Sequence, residues 1–425
     1  MRITFLNMHY RPDVASTAQH LTDLAEYLVG QGHEVHVLTS MARYDAGGRV
    51  GTTARVVLDG VRVTRLSLPS RGRARFAERM ADYVLYLGKA LLHGLFRARP
   101  DVYVALSTPP LLALVVAIVA GVRRRPFLIW SMDLHPEVEA AAGVISHRSL
   151  TYRLLKRVHD RAFRRAAVVV SLGPAMTRQL RAKGVQARRI VEIPVWSRTD
   201  EIEPMEKESS PLLDAWELRD RFVVMYSGNA GMAHCFAPVL DAMERLRERD
   251  DVFFLFVGGG PRRPEIEAEA RRRGIRNFAY RDYVQRAELS DSLALGDVHL
   301  VTLGPDQGGL VAPGKVFGIM AAARPIIFTG PRDSEPGHYI ARSGCGILID
   351  SCQAAAGADV VTAIEALRTD PARARELGRA GRRAFEELFA FHVVRGRWAE
   401  LFHERAGPLA SAVPRGTSIR RENES

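Results

Sequence analysis

Two doubly wound α/β domains facing each other across a cleft are predicted by three observations. Short apolar runs alternate with helical patterns up to about residue 197. The alternation stops over residues 198–220, which are acidic and polar and carry two prolines. It then restarts and continues to about residue 391. Strands that are apolar throughout, rather than every second residue, belong to a parallel sheet covered by helices on both faces.

The elements follow in order. Residues 2–8 form an apolar strand leading into a polar loop with Pro12. Residues 18–31 place Leu21, Leu24, Ala25 and Leu28 at helical spacing, and Gly32 ends the helix. Residues 34–39 are the next strand, and 56–57 and 61–66 flank Asp59-Gly60, a hairpin signal. A long helix spans 76–97, and buried strands lie at 102–106, 127–130 and 167–171. In the second half, strands fall at 222–226, 252–257, 278–280, 298–303, 325–329 and 346–349. Helices fall at 237–249, 265–273, 316–323, 354–368 and 371–387. The domains are therefore 1–197 and 198–391. A helix at about 392–405 packs back on the first domain, and 407–425 read as a disordered tail.

Composition narrows the class. Of 425 residues, 47% are apolar and 25% charged, which excludes collagen, coiled coil and wholesale disorder. Three cysteines give no disulfide framework and no metal-type pair, which suits a reducing cytoplasm. The longest apolar run, 111–122, is shorter than the roughly 20 residues that span a bilayer, and the first residues lack a signal-peptide core. Residues 1–200 carry 30 Lys/Arg against 15 Asp/Glu, whereas 201–425 carry 30 against 33. The first half therefore expects an acidic partner. No helix-turn-helix, finger or RNP pattern is present, so nucleic acid is not that partner. Over 70–95, Arg71, Arg73, Arg75, Arg79 and Lys89 accompany an apolar stripe of Phe76, Met80, Tyr83, Leu87 and Leu91, and Arg123-Arg124-Arg125 follow the apolar run. This suits an anionic membrane surface; core packing accounts for the stripe equally well.

Ligands of open α/β sheets bind beyond the carboxyl ends of the strands. Ser227-Gly228-Asn229-Ala230-Gly231 lies between a strand and a helix, and is either a diphosphate cradle or a tight turn. Gly308-Gly309-Leu310-Val311 precedes Lys315, and together these read as a metal-free anion site, backbone amides with one cation. Lysine in the first turn of a helix opposes the helix dipole, which favours a bound anion over a merely solvent-facing side chain. Gly259, Tyr283 and Val284 stand at two further strand ends, where they could pack on a base or simply anchor loops. In the first half, Asp133, His135 and Glu137 lie within five residues at a strand end, a spacing suited to acid/base work or to a capped helix start. The loop 7–19, with Arg11, Ser16 and Thr17, reaches the same side. No G-x-S-x-G elbow and no P-loop occur.

The ordered set of motifs resembles the family 4 glycosyltransferases of GT-B fold, in their bacterial exopolysaccharide, O-antigen or colanic-acid-like branch. Gln19-His20-Leu21-Thr22-Asp23, Gly32-His33-Glu34-Val35, Asp133-Leu134-His135-Pro136-Glu137, Gly228-Asn229-Ala230-Gly231, Val257-Gly258-Gly259-Gly260-Pro261, Pro313-Gly314-Lys315 and Met320-Ala321-Ala322-Ala323-Arg324-Pro325 carry it over roughly residues 1–405. The resemblance implies two Rossmann-like domains and a retaining transfer from a nucleotide-diphospho-sugar, expected to be UDP-linked, without metal or other cofactor. The donor diphosphate and sugar would meet Gly228, Asn229, Gly231, Gly308, Gly309, Leu310, Val311 and Lys315, and the base Gly259, Tyr283 and Val284. A lipid-linked or membrane glycan acceptor would meet Arg11, Ser16, Thr17, His20 and Glu137, with Asp133, His135 and Lys315 at the reaction. The protein would be cytoplasmic and peripheral on the inner face of the membrane. The family's Glu-x7-Glu pair is absent: Leu310 and Gly318 stand there. That departure leaves open a catalytically reduced partner subunit of a glycan-assembly complex, and the fold leaves open a nucleotide-sugar epimerase or a phosphorylase.

Overall fold

A computed structural model describes residues 1–13, 15–41, 54–68, 76–198 and 202–404. Arg71, Arg73, Arg75, the side chains of Phe76 and Arg79, and the tail over 407–425 lie outside the described residues.

The first sheet contains β1 (Arg2–Leu6), β2 (Glu34–Ser40), β3 (Arg55–Leu58), β4 (Val61–Leu66), β5 (Val102–Ala105), β6 (Phe127–Trp130), β7 (Val168–Ser171) and β8 (Ile190–Glu192). Their spatial order is β3-β4-β2-β1-β5-β6-β7-β8. All pairings are parallel except β3 with β4. That hairpin turns through Asp59 and Gly60 at φ 44° and 78°, the left-handed pair that matches strand twist. The covering helices are α1 (Ser16–Gly30), α2 (Phe76–Phe96), α3 (Leu112–Arg123), α4 (Glu137–Ala141), α5 (Leu150–Arg165) and α6 (Pro174–Ala182).

The second sheet contains β9 (Phe222–Ser227), β10 (Val252–Val257), β11 (Phe278–Arg281), β12 (Val298–Thr302), β13 (Ile326–Thr329) and β14 (Gly346–Ile349), in the parallel order β11-β10-β9-β12-β13-β14. Its helices are α7 (Leu212–Ala215), α8 (Ala237–Arg245), α9 (Arg263–Arg272), α10 (Leu289–Ala294), α11 (Lys315–Ala321), α12 (Glu335–Ser343), α13 (Ala356–Thr369) and α14 (Pro371–Leu388). A last helix, α15 (Phe391–Glu404), crosses back: Phe391 donates its N–H to Ser197, and Trp398 meets Trp130 of β6 edge-on with ring centroids 4.7 Å apart. Both rings are fully buried.

Strand order reverses between β1 and β5 in the first sheet and between β9 and β12 in the second. At such switch points adjacent loops diverge and leave a crevice. The loops after β9 and β12 carry the Gly228 and Lys315 motifs, so topology brings together segments some ninety residues apart in sequence.

The structure refines several sequence expectations. The acidic stretch after residue 201 is packed, not loose: Ile202 and Leu213 are buried, and Lys207 is paired with Asp297. On α2, Tyr83, Leu87 and Leu91 pack against the core, while Met80, Val84, Leu85, Leu92 and Phe96 are exposed. Of the two readings left open for the stripe, core packing holds for Tyr83, Leu87 and Leu91, and a neighbouring set of apolar side chains faces outward.

Candidate active site

The strand-end loops of the two sheets touch. Leu134 donates its N–H to the Leu310 carbonyl at 2.9 Å, and Asp133 and Val311 form an isolated antiparallel bridge. Gln179 reaches the Gly308 carbonyl at 3.4 Å, and the Met176 N–H donates to a Glu335 carboxylate oxygen at 2.5 Å.

On the second sheet, the turns after β9 and β10 fit backbone to backbone. Gly258, at φ 135°, leaves no room for a Cβ, which would stand 2.3 Å from the Gly228 carbonyl oxygen. Gly260, at φ 119°, is as tightly placed, 2.3 Å from Asn229 Oδ1. Only glycine satisfies both constraints. The N–H groups of Gly228 and Ala230 donate to Val257 and Gly259 at 2.8 and 2.7 Å. Gly228 therefore offers a ligand space, not an amide, and the cradle is left to Asn229, Gly231 and the lysine above them.

Lys315 opens α11 and leans over this turn. A Cβ on Gly228 would lie 3.4 Å from Lys315 Cε and 3.7 Å from its Nζ. The ammonium donates to the Tyr226 hydroxyl and sits 3.8 Å from the Tyr226 ring centroid; that hydroxyl in turn donates to the Asn229 carbonyl at 2.9 Å. Among the described residues no carboxylate pairs with Lys315. Burial alone pushes its pKa well below the ordinary lysine value. Beside it, His234 is held neutral, its pKa lowered to about 3 by burial and then by the Lys315 charge. An ammonium partly withdrawn from water and lacking a counter-charge is costly. A bound phosphate oxygen would supply that charge.

The Gly308–Val311 segment behaves differently from its sequence reading. Gly309, at φ 72°, packs so close to α6 that a Cβ would be 2.7 Å from the Ala175 carbonyl oxygen. Leu310 spends its N–H on the Gln307 carbonyl and its own carbonyl on Leu134, and its side chain is buried. Leu310 is thus an interface residue and not a free amide donor. Gly318 faces Ile202 and Leu293, an apolar setting. Gly259 lies against Tyr283, a Cβ there falling 3.2 Å from Tyr283 Cε2, and the tyrosine ring is 61% exposed. Val284 packs instead against the small core around Leu213, Leu218 and Leu255.

On the first sheet, the loop after β6 presents Asp133 and His135. The Asp133 N–H donates to Ser107 Oγ at 3.2 Å, and burial raises the Asp133 carboxyl pKa. His135 Nδ1 lies 2.6 Å from Glu139 Oε1. Burial opposes charging the imidazole, yet the Glu139 hydrogen bond and charge, with Asp133, outweigh it and raise its pKa. Two expected acceptor residues are committed elsewhere. Glu137 receives Lys156 at 2.7 Å and Lys183 at 2.5 Å, and both lysines also hold Asp160. Arg11 is paired with Glu26 and Asp59, both at 2.5 Å. Ser16 is exposed at the start of α1, Thr17 Oγ1 receives Asn7 at 3.3 Å, and His20 stands edge-on to Trp196 at 4.9 Å. Burial, with Arg286 across the cleft, lowers the His20 pKa to about 4.

Comparison with known families decides what this arrangement belongs to. Residues 17–196 match the glycosyl transferase 4-like domain and residues 221–367 the glycosyl transferases group 1 domain. The chain belongs to the family 4 glycosyltransferases. Among its relatives are the probable glycosyltransferase WbjE of Pseudomonas aeruginosa, 27% identical over 58% of this chain and 62% of that protein, and the putative colanic acid biosynthesis glycosyl transferase WcaI of Escherichia coli K12, 24% identical over 79% and 85%. The chain thus spans less than two thirds of the length of WbjE. Solved structures share the GT-B fold. Sucrose-phosphate synthase from Thermosynechococcus elongatus superposes with a TM-score of 0.74 at 15% identity, covering 96% of this chain and all of the other. Anabaena HepE in complex with UDP-glucose superposes with 0.71 at 14% identity, covering 95% and 100%.

Two residues of this glycosyltransferase site escape a reading by motif. Glu139 stands one helical turn from His135, a spacing visible in the sequence once His135 is singled out. Tyr226 reads as one more apolar strand residue, and only the fold places its hydroxyl under Lys315.

Proposed function

We propose that this glycosyltransferase moves a sugar, with retention of configuration and without a divalent ion, from a UDP-linked donor to a lipid-linked or membrane glycan in bacterial cell-surface polysaccharide synthesis. One observation carries the reading: a half-buried ammonium, Lys315, with no carboxylate partner among the described residues, poised over the Gly228 turn at a switch point. As the bond from the anomeric carbon to the diphosphate oxygen breaks, charge grows on the diphosphate, and a cation fixed there in advance stabilises that change. The acceptor hydroxyl attacks the anomeric carbon on the face the diphosphate leaves, and its proton passes to the departing phosphate oxygen. Asp133 and the hydrogen-bonded His135–Glu139 pair, joined to the donor side through Leu134 and Leu310, position sugar and acceptor hydroxyls.

The name of WcaI supports the pathway, that of WbjE the transferase class, and the UDP-glucose bound by HepE the donor class. No described helix is long and apolar enough to cross a membrane. Peripheral attachment on the inner face is supported by exposed Val84, Leu92 and Phe96 on α2, by Ile118 and Val122 on α3, and by Arg123, Arg124 and Arg125, which adjoin them. The test is a panel of nucleotide sugars incubated with and without membrane extract, with mass detection of released nucleotide. Acceptor-dependent release that Lys315→Ala abolishes is expected. Release unaffected by Lys315→Ala, or isomerisation of the donor with no acceptor present, would contradict the reading.

A further inference from the structure

At the opposite end of the first sheet the strands do not behave like strands buried on both faces. At this end the first even-numbered positions of β1, β2 and β4 are Arg2, Thr4, Glu34, His36, Arg62 and Thr64, before the same face turns to Leu6, Leu38 and Leu66, and the register sets them side by side: Arg2 beside Glu34, Thr4 beside His36, His36 beside Arg62. A face under a helix is ordinarily apolar. Here it forms one wall of a cavity of about 590 Å³, closed on the other side by His93, Arg97 and Arg99 at the end of α2 and by Arg55 on β3. That volume lies within the range of small-molecule sites.

The cavity is strongly positive. Five arginines and two histidines line it, against Glu34 as its one acidic side chain. Arg2 is paired with Asp101 and Arg62 with Glu34, each at 3.0 Å. Arg55, Arg97 and Arg99 have no carboxylate partner among the described residues. The rings of His36 and His93 are 5.8 Å apart, and His36 Nε2 is 2.9 Å from Thr64 Oγ1. Burial first, and then the surrounding cations, lower both imidazole pKa values, His36 to about 4. Guanidinium groups that line one cavity without carboxylate partners, as Arg55, Arg97 and Arg99 do, can meet the oxygens of a phosphate group in forked pairs.

We propose that this cavity is a second binding site, remote from the cleft, for a phosphomonoester held by Arg55, Arg97 and Arg99. It is independent of the reading of Lys315. The shared chemistry is a phosphate ester, met either as a small soluble molecule or as a lipid headgroup; exposed Val57 also lines the cavity, and Leu92 and Phe96 of α2 are chain neighbours of His93 and Arg97.

The full chain, labelled on histidine, is titrated with inorganic phosphate and with glycerol 3-phosphate while the His36 and His93 ring resonances are followed by NMR. In parallel it is sedimented with phosphatidylcholine vesicles with and without phosphatidic acid. The expected result is that both resonances shift, that Lys315→Met shifts alike, and that Arg55→Gln/Arg97→Gln weakens binding at least about tenfold, the loss that goes with removing charge-assisted hydrogen bonds. Both arginines are exposed, so the double variant keeps its core. Retention on phosphatidic acid vesicles alone, lost in the double variant, assigns the ester to lipid and also supports the site. Silent histidine resonances together with vesicle binding indifferent to Arg55 and Arg97 would overturn it, as would phosphate binding that disappears in Lys315→Met.

Discussion

Leu134 donates its backbone N–H to the Leu310 carbonyl at 2.9 Å, and this one bond ties the loop carrying Asp133 and His135 to the loop leading to Lys315. The two halves of the candidate site are therefore placed relative to each other by backbone groups, which no single side-chain substitution on either residue removes.

The closeness of that contact rests on Gly309. Alanine there would carry φ 72° and a Cβ 2.7 Å from the Ala175 carbonyl oxygen. Gly309→Ala is expected to destabilise the protein by about 1–3 kcal/mol, the cost of a strained backbone position, and to lower kcat by spreading the loops. Urea unfolding and donor turnover measure the two effects.

Glu335 gives a pH dependence of known sign. Burial pushes its carboxyl from 4.5 up to about 7, while the Met176 N–H pulls the other way. The folded state thus keeps this proton to higher pH than the unfolded chain does, so its contribution falls as pH rises from 4.5 to 7. Glu335→Gln cannot ionise. Its stability relative to the parent should rise by roughly 3 kcal/mol between pH 4 and pH 8, read from urea midpoints at both pH values. A difference that does not change with pH would place the carboxyl outside this setting.

Trp398 anchors α15 against Trp130 and is fully buried. Trp398→Ala is expected to cost about 3–5 kcal/mol, as large core truncations do. Earlier proteolysis of the C-terminal helix than of the rest of the chain would show where the loss falls.

Tyr283 and Val284 are neighbours with opposite expectations. Tyr283 is exposed beside Gly259, so Tyr283→Ala should weaken nucleotide binding by about 1–3 kcal/mol, the worth of a base stacked on an aromatic ring, and leave the unfolding midpoint unchanged. Val284→Ala should lower the midpoint and leave nucleotide affinity alone, because that side chain packs in the core. Calorimetry and thermal unfolding of both variants separate the roles.

The parallel architecture and the glycine turns were legible because apolar runs and Gly-rich strand ends are local signals. Whether an expected site residue is available was not. The partners of Glu137 lie 19 and 46 positions away at Lys156 and Lys183, and no local pattern announces such a pair. The amide of Gly228 is consumed by Val257 and the carbonyl of Leu310 by Leu134, neighbours that only the fold supplies. Likewise β8 is three residues long, too short for a periodic signal. The positive charge of the first half was visible as a total, but its concentration around Arg55, Arg97 and Arg99 depends on how α2 lies against the sheet.

Lys315 carries the account, and its conservative removal is the sharpest test. Lys315→Met keeps the side-chain volume over the Tyr226 ring while removing the hydrogen bond to its hydroxyl and a charge that burial disfavours, so the variant should stay folded with a stability close to the parent's. Titration of UDP into both proteins by calorimetry is the direct measurement. The account predicts that UDP binds the parent and that the folded Lys315→Met variant loses at least about tenfold in affinity. Equal affinity in the two proteins would contradict it.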